Sequence, residues 1–219
     1  GLYYRRDDEI IAGPPQKTIH NLDYLPFPAY DLMPFKRFYA PYTWKKKRSV
    51  SLSTARGCPF NCIFCQNPGG KKVRQRSLGQ VFEEIDQAIH YYRAQILFIT
   101  DENFTLDQKR AAEFSEGMLK RGYHLKISWF CETRVDSVTK DLLRLMRRAG
   151  CFAMFYGVET GNLQLLHAAG KDYSAEMTRQ SVHWAHEAGI FTHVGFIFGH
   201  PFETEESITQ SVTVDAATV

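Results

Sequence analysis

From Val50 onward, short apolar runs alternate with stretches whose apolar residues recur every three or four positions. This alternation predicts parallel β-strands joined by crossover helices. The expected strands are Val50 to Thr54, Ile96 to Thr100, Leu125 to Cys131, Phe152 to Val158 and Thr192 to Phe198. Ser77 and Gln80 form a capping box for a first helix, whose stripe is Leu78, Val81, Phe82, Ile85, Ile89 and Tyr92. Asp107 caps a second helix carrying Ala111, Phe114 and Met118 and stopped by Gly122. Thr139 starts a third, with Leu142, Leu145, Met146 and Ala149 on one side and Gly150 as its stop. Ser174 opens a fourth, with Met177, Trp184, Ala185 and Ala188 before Gly189, and Thr204 a fifth whose first turn holds Glu205 and Glu206.

Five such units in series begin either a barrel or a doubly wound sheet, and periodicity does not separate the two. Polar and glycine-rich residues gather directly after each strand: Arg56-Gly57, Asp101-Glu102-Asn103, Glu132-Thr133-Arg134, Glu159-Thr160 and Gly199-His200-Pro201. In a parallel α/β protein these positions share the carboxyl edge of the sheet, where sites are built. One site drawing on five strands favours a barrel-like layer.

Residues 1 to 48 follow another pattern. Tyr3 to Ile11 predicts a hairpin turning at Asp7-Asp8, and Pro14, Pro15, Pro26, Pro28, Pro34 and Pro41 then forbid long regular elements. The stretch reads as a linker laid across a surface, anchored by Leu22, Leu25, Phe27, Tyr30 and Leu32. The chain opens at Gly1 without an initiator methionine and closes on Asp215-Ala216-Ala217-Thr218-Val219 without a turn or cap, as expected of a piece of something longer.

Composition narrows the class. With 219 residues, 44% of them hydrophobic and 23% charged, the chain can bury the core of one globular domain. A net charge of +3 is too weak to argue for nucleic acid. No apolar run approaches the roughly 20 residues of a membrane span, and no signal peptide opens the chain. Five cysteines, three of them clustered, fit metal binding in a reducing compartment, so a cytoplasmic location is expected.

The clustered cysteines carry the chemistry. Cys58, Cys62 and Cys65 stand in Ala55-Arg56-Gly57-Cys58-Pro59-Phe60-Asn61-Cys62-Ile63-Phe64-Cys65, with no fourth cysteine nearby. Three thiolates can hold three irons of a cubane cluster and leave the fourth iron open to a cofactor or substrate. Zinc is the alternative, with His90 or Cys151 as a fourth ligand from elsewhere.

CxxxCxxC with Phe64 before the last cysteine, on the loop after a first strand, resembles the radical S-adenosylmethionine enzymes over residues 50 to 219. The resemblance implies a partial TIM-like (β/α)6 barrel ending near the start of strand 6. It also implies a 4Fe-4S cluster whose open iron chelates S-adenosylmethionine, and reductive cleavage of that cofactor to a 5'-deoxyadenosyl radical. Asp101, Glu102 and Asn103 lie where the family receives the methionine amino group, and Arg134 where a basic residue faces its carboxylate. Glu159 matches the acidic residue near the nucleoside. Gly195, Ile197 and Gly199 match a fifth-strand pattern against adenine.

Asn21 to Asp31 resembles the segment that joins an upstream cobalamin-binding domain to the radical domain in one subgroup, which includes methyltransferases and the anaerobic ring cyclase of bacteriochlorophyll synthesis. Residues 1–48 are then a linker after that domain, and 49–219 a radical core incomplete at its C-terminal end. The implied partners are a small-molecule substrate and a flavodoxin- or ferredoxin-like electron donor. A tRNA-modifying radical enzyme and a noncatalytic iron-sulfur electron carrier are the competing readings.

Other residues have plainer uses. Asp101 or Asn103 can cap a turn and Arg134 can serve a structural carboxylate; Lys171 can contact cofactor or substrate, but an exposed loop lysine is the expected case. Cys131 and Cys151 are expected to be buried as small hydrophobes. Among the histidines, His200 is placed to approach the site. Lys45 to Arg48 and Lys71 to Arg76 offer either a solvated face or an attraction for an anionic substrate or acidic electron donor.

Overall fold

The computed structural model describes residues 2–14, 17–32 and 47–216. Pro15, Pro34, Pro41, Lys45, Lys46 and the last three residues lie outside them. The chain opens with the expected hairpin, β1 (Tyr3–Arg6) and β2 (Glu9–Ala12), paired antiparallel about Asp7-Asp8. The segment after it is tied to the main body. Asn21 caps a single 3₁₀ turn, Leu22–Tyr24, whose Asp23 carboxylate accepts from the Ser77 N–H at 2.8 Å. Buried Leu22 anchors this turn, and the Tyr30 hydroxyl donates to the Ser51 carbonyl.

The main elements follow in order: β3 (Ser49–Leu52), β4 (Ala55–Arg56), β5 (Arg74–Gln75), α1 (Leu78–His90), β6 (Ile96–Ile99), α2 (Gln108–Lys120), β7 (Ser128–Thr133), α3 (Lys140–Arg148), β8 (Cys151–Glu159), α4 (Leu163–Ala168), α5 (Ala175–Glu187), β9 (Phe191–Phe196) and α6 (Glu205–Ala216). Strands β3, β6, β7, β8 and β9 form one parallel sheet in that spatial order. Each strand lies beside its predecessor with no reversal. A doubly wound sheet reverses at a switch point, whereas a barrel adds strands in sequence, so the order resolves what periodicity left open.

The predicted caps are in place. Ser77, Asp107, Thr139 and Ser174 each accept an N–H from the first turn of their helix, and the Thr204 hydroxyl accepts from the Ser207 N–H at 3.2 Å. Two places differ most from expectation. Leu125 does not start the third strand: left-handed Gly122 leads into a 3₁₀ turn, Tyr123–Leu125, that leaves Leu125 82% exposed, and the strand runs on through Glu132 and Thr133. Helix α4, capped by Asn162, inserts a turn and a half between β8 and α5 that a short Leu-rich stretch did not reveal. On α5 the buried face is Thr178, Ser181, Val182 and Ala185, with Met177 exposed.

Strand alternation divides the sheet into two faces. Val50, Leu52, Leu97, Ile99, Trp129, Cys131, Met154 and Tyr156 face the helices and form the core. Phe114 of α2 lies at its centre, edge-on to Phe104 and Trp129 at 5.4 Å each and stacked with Phe82 at 5.7 Å. Cys131 and Cys151 are buried here, as expected.

Gly117, in the middle of α2, makes this ring cluster possible. A Cβ there would stand 2.2 Å from Phe82 Cζ, and that ring is boxed between Phe114 and the Arg121 guanidinium, 4.1 Å above it. Alanine gains about 1 kcal/mol in helix propensity but overpacks a core by about 1–3 kcal/mol. Gly117→Ala is therefore expected to lower the unfolding free energy in urea. A more stable variant would show that the ring has room to move.

Candidate functional site

The cysteine loop leaves the carboxyl end of β3 and is pinched at its neck by β4 pairing antiparallel with β5. Inside the neck the chain crosses itself closely. Gly57 has φ 100°, and a Cβ on it would stand 2.5 Å from the Lys72 carbonyl oxygen; one on Gly69 would stand 2.3 Å from the Gly57 nitrogen. Only glycine fits at such a crossing. The Cys58 N–H donates to the Gly70 carbonyl at 3.0 Å, and Asn67 Nδ2 donates to the Cys58 carbonyl at 2.7 Å.

Cys58 and Cys62 are half-buried, and Cys65 is exposed. Cys65 Sγ accepts from the Asn67 N–H at 3.3 Å, and Arg134 Nη1 points at Cys62 Sγ from 3.9 Å. Burial pushes the Cys58 thiol up, with the neighbouring Cys62 and Cys65 adding to the rise. Among the described residues, no three His, Cys, Asp or Glu converge on a single metal ion. The candidate fourth zinc ligands are engaged elsewhere: His90 faces Asp86 on α1 at 3.4 Å, and Cys151 donates to the Ala153 carbonyl within the core.

The residues after β6 have three different tasks. Buried Asp101 accepts from the Thr54 N–H at 2.6 Å, the Thr54 hydroxyl and the Ala55 N–H at 3.0 Å. Burial outweighs these bonds and raises its carboxyl to about 6. Glu102 accepts from the Gly57 N–H at 3.1 Å. Asn103 Oδ1 accepts from the Thr133 and Ser137 hydroxyls at 2.8 and 3.1 Å, and Thr105 completes a buried hydroxyl box. Asn103 Nδ2 is buried with no partner. Exchanging the amide's oxygen and nitrogen would leave the other atom unpartnered, so one polar end of this side chain is free in either assignment.

Arg134, just past β7, is buried and doubly bonded to Asp136 at 2.8 and 2.7 Å. Its guanidinium lies 3.7 Å over the Phe60 ring. Burial works against its charge, but the Asp136 carboxylate more than compensates and holds the proton more firmly than usual. The structural-carboxylate use of Arg134 is thus realised, with a sulfur as second neighbour.

Glu159 ends β8 with φ 70°, a left-handed conformation that a non-glycine residue adopts only under constraint. Its carboxylate meets Lys171, which corrects the expectation of an exposed loop lysine: it is 4% exposed, and its Nζ donates to Glu159 Oε1 at 2.7 Å and to the Gly157 carbonyl at 2.6 Å. A Cβ on Gly157 would stand 2.6 Å from the same Oε1, so a glycine is needed beside the pair. Lys171 also lies 5.7 Å from the Phe64 ring centroid, and the Ile63 N–H donates to the Ala169 carbonyl at 3.2 Å, docking the cysteine loop on the segment after α4. Two further members of this cluster carry no signal in the sequence: Asp136, and Tyr173, whose hydroxyl donates to the Gly157 carbonyl at 2.8 Å. The legible signal was the cost of burying Glu159 without a cation.

On β9, Gly195 makes room for Phe155, whose ring would be 2.8 Å from a Cβ there. The Ile197 N–H donates to the Glu159 carbonyl at 2.8 Å, tying β9 to the same strand end. Gly199 has φ 90°, and its N–H donates to Glu203 at 2.6 Å; His200 Nε2 has no partner. The structure thus gathers the cysteines, Phe64, Arg134 and Glu159 around one loop. Asp101 and Glu102 hold that loop's backbone, and Gly199 belongs to an exposed turn.

The family model of the Radical SAM superfamily matches residues 52–213. An uncharacterized methyltransferase of Pyrococcus horikoshii is 31% identical over 97% of this chain and 45% of its own length. The anaerobic magnesium-protoporphyrin IX monomethyl ester cyclase of Cereibacter sphaeroides is 30% identical over 96% of this chain and 34% of its own. The chain therefore spans less than half the length of these relatives. Among solved structures, the radical S-adenosylmethionine methyltransferase TsrM of Kitasatospora setae, with cobalamin and a 4Fe-4S cluster bound, superposes with a TM-score of 0.72 at 24% identity, covering 79% of this chain and 35% of that one. At that identity the likeness speaks for the fold.

Two outcomes follow from the buried charges. The Asp101 carboxyl binds its proton more tightly folded, near 6, than in an unfolded chain. Its contribution to stability is therefore full below the unfolded value and lost as pH rises through the folded one. Relative to Asp101→Asn, the wild type should gain about 1 kcal/mol in urea-unfolding free energy between about pH 7.5 and about pH 5; an unchanged difference would contradict the assignment. Lys171→Met leaves Glu159 buried and unpaired, with an expected loss of about 3–5 kcal/mol by the same measurement, partly recovered when Glu159→Gln is added.

Proposed function

The chain belongs to the radical SAM superfamily, and we propose that its site uses a 4Fe-4S cluster held by Cys58, Cys62 and Cys65 to cleave S-adenosylmethionine reductively. The observation that carries this reading is three free thiols on one braced loop at the carboxyl edge of a parallel sheet. The donor set fits such a cluster. Each thiolate would take a separate iron, and donors already stand at two sulfurs, the Asn67 N–H at Cys65 and the Arg134 guanidinium at Cys62. One-electron reduction of the sulfonium, the chemistry such a cluster supplies when bound, yields methionine and a 5'-deoxyadenosyl radical that abstracts hydrogen from a substrate.

The chain's own residues would hold and orient the cofactor. Of the three residues after β6, Asp101 and Glu102 are engaged with backbone, so Asn103, with its unpartnered buried amide, is our candidate for the methionine end. Arg134, engaged by Asp136, orients Cys62 instead of taking the methionine carboxylate. Glu159 keeps one oxygen on Lys171, and its Oε2 is available to the nucleoside. Gly157 and Gly195, paired in register, keep the sheet low beside it.

We further propose that the whole protein is a cobalamin-dependent methyltransferase or cyclase, with residues 1–48 joining this core to a cobalamin-binding domain. The relatives' names and the cobalamin bound in TsrM support that reading. The test is anaerobic reconstitution with iron and sulfide, followed by reduction in the presence of S-adenosylmethionine. 5'-Deoxyadenosine is expected, and it should disappear in Cys62→Ala. A reduced four-iron protein that neither binds nor cleaves S-adenosylmethionine would favour an electron carrier. For a longer parent, failure to bind added cobalamin would refute the cobalamin part alone.

A further inference from the structure

The face of the sheet turned away from the helices is unlike a barrel interior packed with aliphatic side chains. Its central floor is aromatic. Phe98 and Phe130, partners in the β6–β7 register, stack with centroids 4.4 Å apart and planes 8° from parallel. Phe152, at the bulge where β8 slips against β7, stands edge-on to Phe130 at 5.9 Å. Phe155, 41% exposed, lies over Gly195, where any larger residue would displace its ring.

One charged side chain of β7 rises from this floor. Glu132 is two residues beyond Phe130 on the same face and lies opposite Phe155 in the register. Among the described residues its carboxylate has neither a hydrogen-bond donor nor a cation. Every other acidic group near the site has one: Asp101 has Thr54, Glu102 has Gly57, Asp136 has Arg134, and Glu159 has Lys171. Glu132 is exposed, and the side chains packed around its base raise its carboxyl above the usual range. Desolvating a carboxylate without a partner costs free energy that a ligand's cation can return.

The position matters as much as the charge. Arg134, the next residue on that face of the chain, continues extended from β7 and points at Cys62. At roughly 3.3 Å per strand residue, Glu132 lies about one side-chain step below the group touching the cysteine loop. A molecule lying on the rings and bonded to Glu132 would sit directly beneath that loop.

Resting on the radical SAM reading, we propose that this face recognises a substrate with a planar apolar body and a cationic amine, with Phe130 and Phe155 as its platform and Glu132 as its counter-charge. The rings select for flatness, because a π-face accepts stacking over its whole area. The carboxylate selects for charge, because an anionic analogue would meet an unpaired negative group in a partly desolvated place.

Calorimetric titration of the wild-type chain with naphthylmethylamine, and with naphthylacetate as its oppositely charged near-isostere, tests this without needing turnover. Saturable binding of the amine and none of the acetate is expected, with at least about tenfold weaker amine binding in Glu132→Gln and in Phe155→Ala. Unchanged melting of Glu132→Gln by circular dichroism would show that the loss is local. Acetate binding as tight as the amine, amine affinity unaffected by Glu132→Gln, or no saturable amine binding would each overturn the inference. A Phe155-dependent dimer in sedimentation, with no amine bound, would assign the face to a second copy of the chain and overturn it too. Deoxyadenosine formation is measured separately: its presence without amine binding defeats only this inference, and its absence defeats only the proposed function.

Discussion

Two neighbouring carboxylates hold a loop of the chain by its backbone, and the arrangement of the site depends on them. A segment leaving the end of a strand loses its ladder partners, and its N–H groups must find acceptors or remain unsatisfied. Asp101 and Glu102 supply those acceptors to Thr54, Ala55 and Gly57, so the loop carrying the three thiols departs at a fixed angle. Burial of this clamp is what raises the Asp101 carboxyl. A hydroxyl in its place would accept fewer N–H groups.

The other side of the loop is held by a cation. Lys171 brings together the end of β8, the Phe64 ring and the Glu159 carboxylate, while Gly170 lets the segment after α4 pass within contact of Asn61. Arg134 stands between these two anchors, fixed by Asp136 and flattened on Phe60. Charges buried in this way are tolerated only as satisfied pairs, and each is one. The loop is thus positioned by side chains from β6, β7 and β8 at once, which requires those strands to be neighbours in sequence order.

How much of this could be read from the residues depends on what kind of information each feature needs. Strands and helix caps were legible because they are local: Ser77, Asp107, Thr139 and Ser174 each act on an N–H within three residues. The start of β7 was misread because Leu125 continues an apolar run whose exposure only the Gly122 turn reveals. Asp101, Glu102 and Asn103 are expected at the site from their place after a strand, but a carboxylate that holds backbone and one that holds a ligand have the same chemistry in a sequence. Only the placement of Thr54 and Gly57 distinguishes them. Lys171 was misjudged because the burial of a loop lysine depends on a partner twelve residues away on another element.

The left-handed backbone of Glu159 restricts what can replace it over evolutionary time. That conformation favours glycine, with asparagine and aspartate next, while the ion pair demands a carboxylate long enough to reach Lys171. Glycine would relax the backbone and lose the charge; aspartate would keep the charge and fall a methylene short. Neither replacement therefore keeps both the backbone conformation and the ion pair.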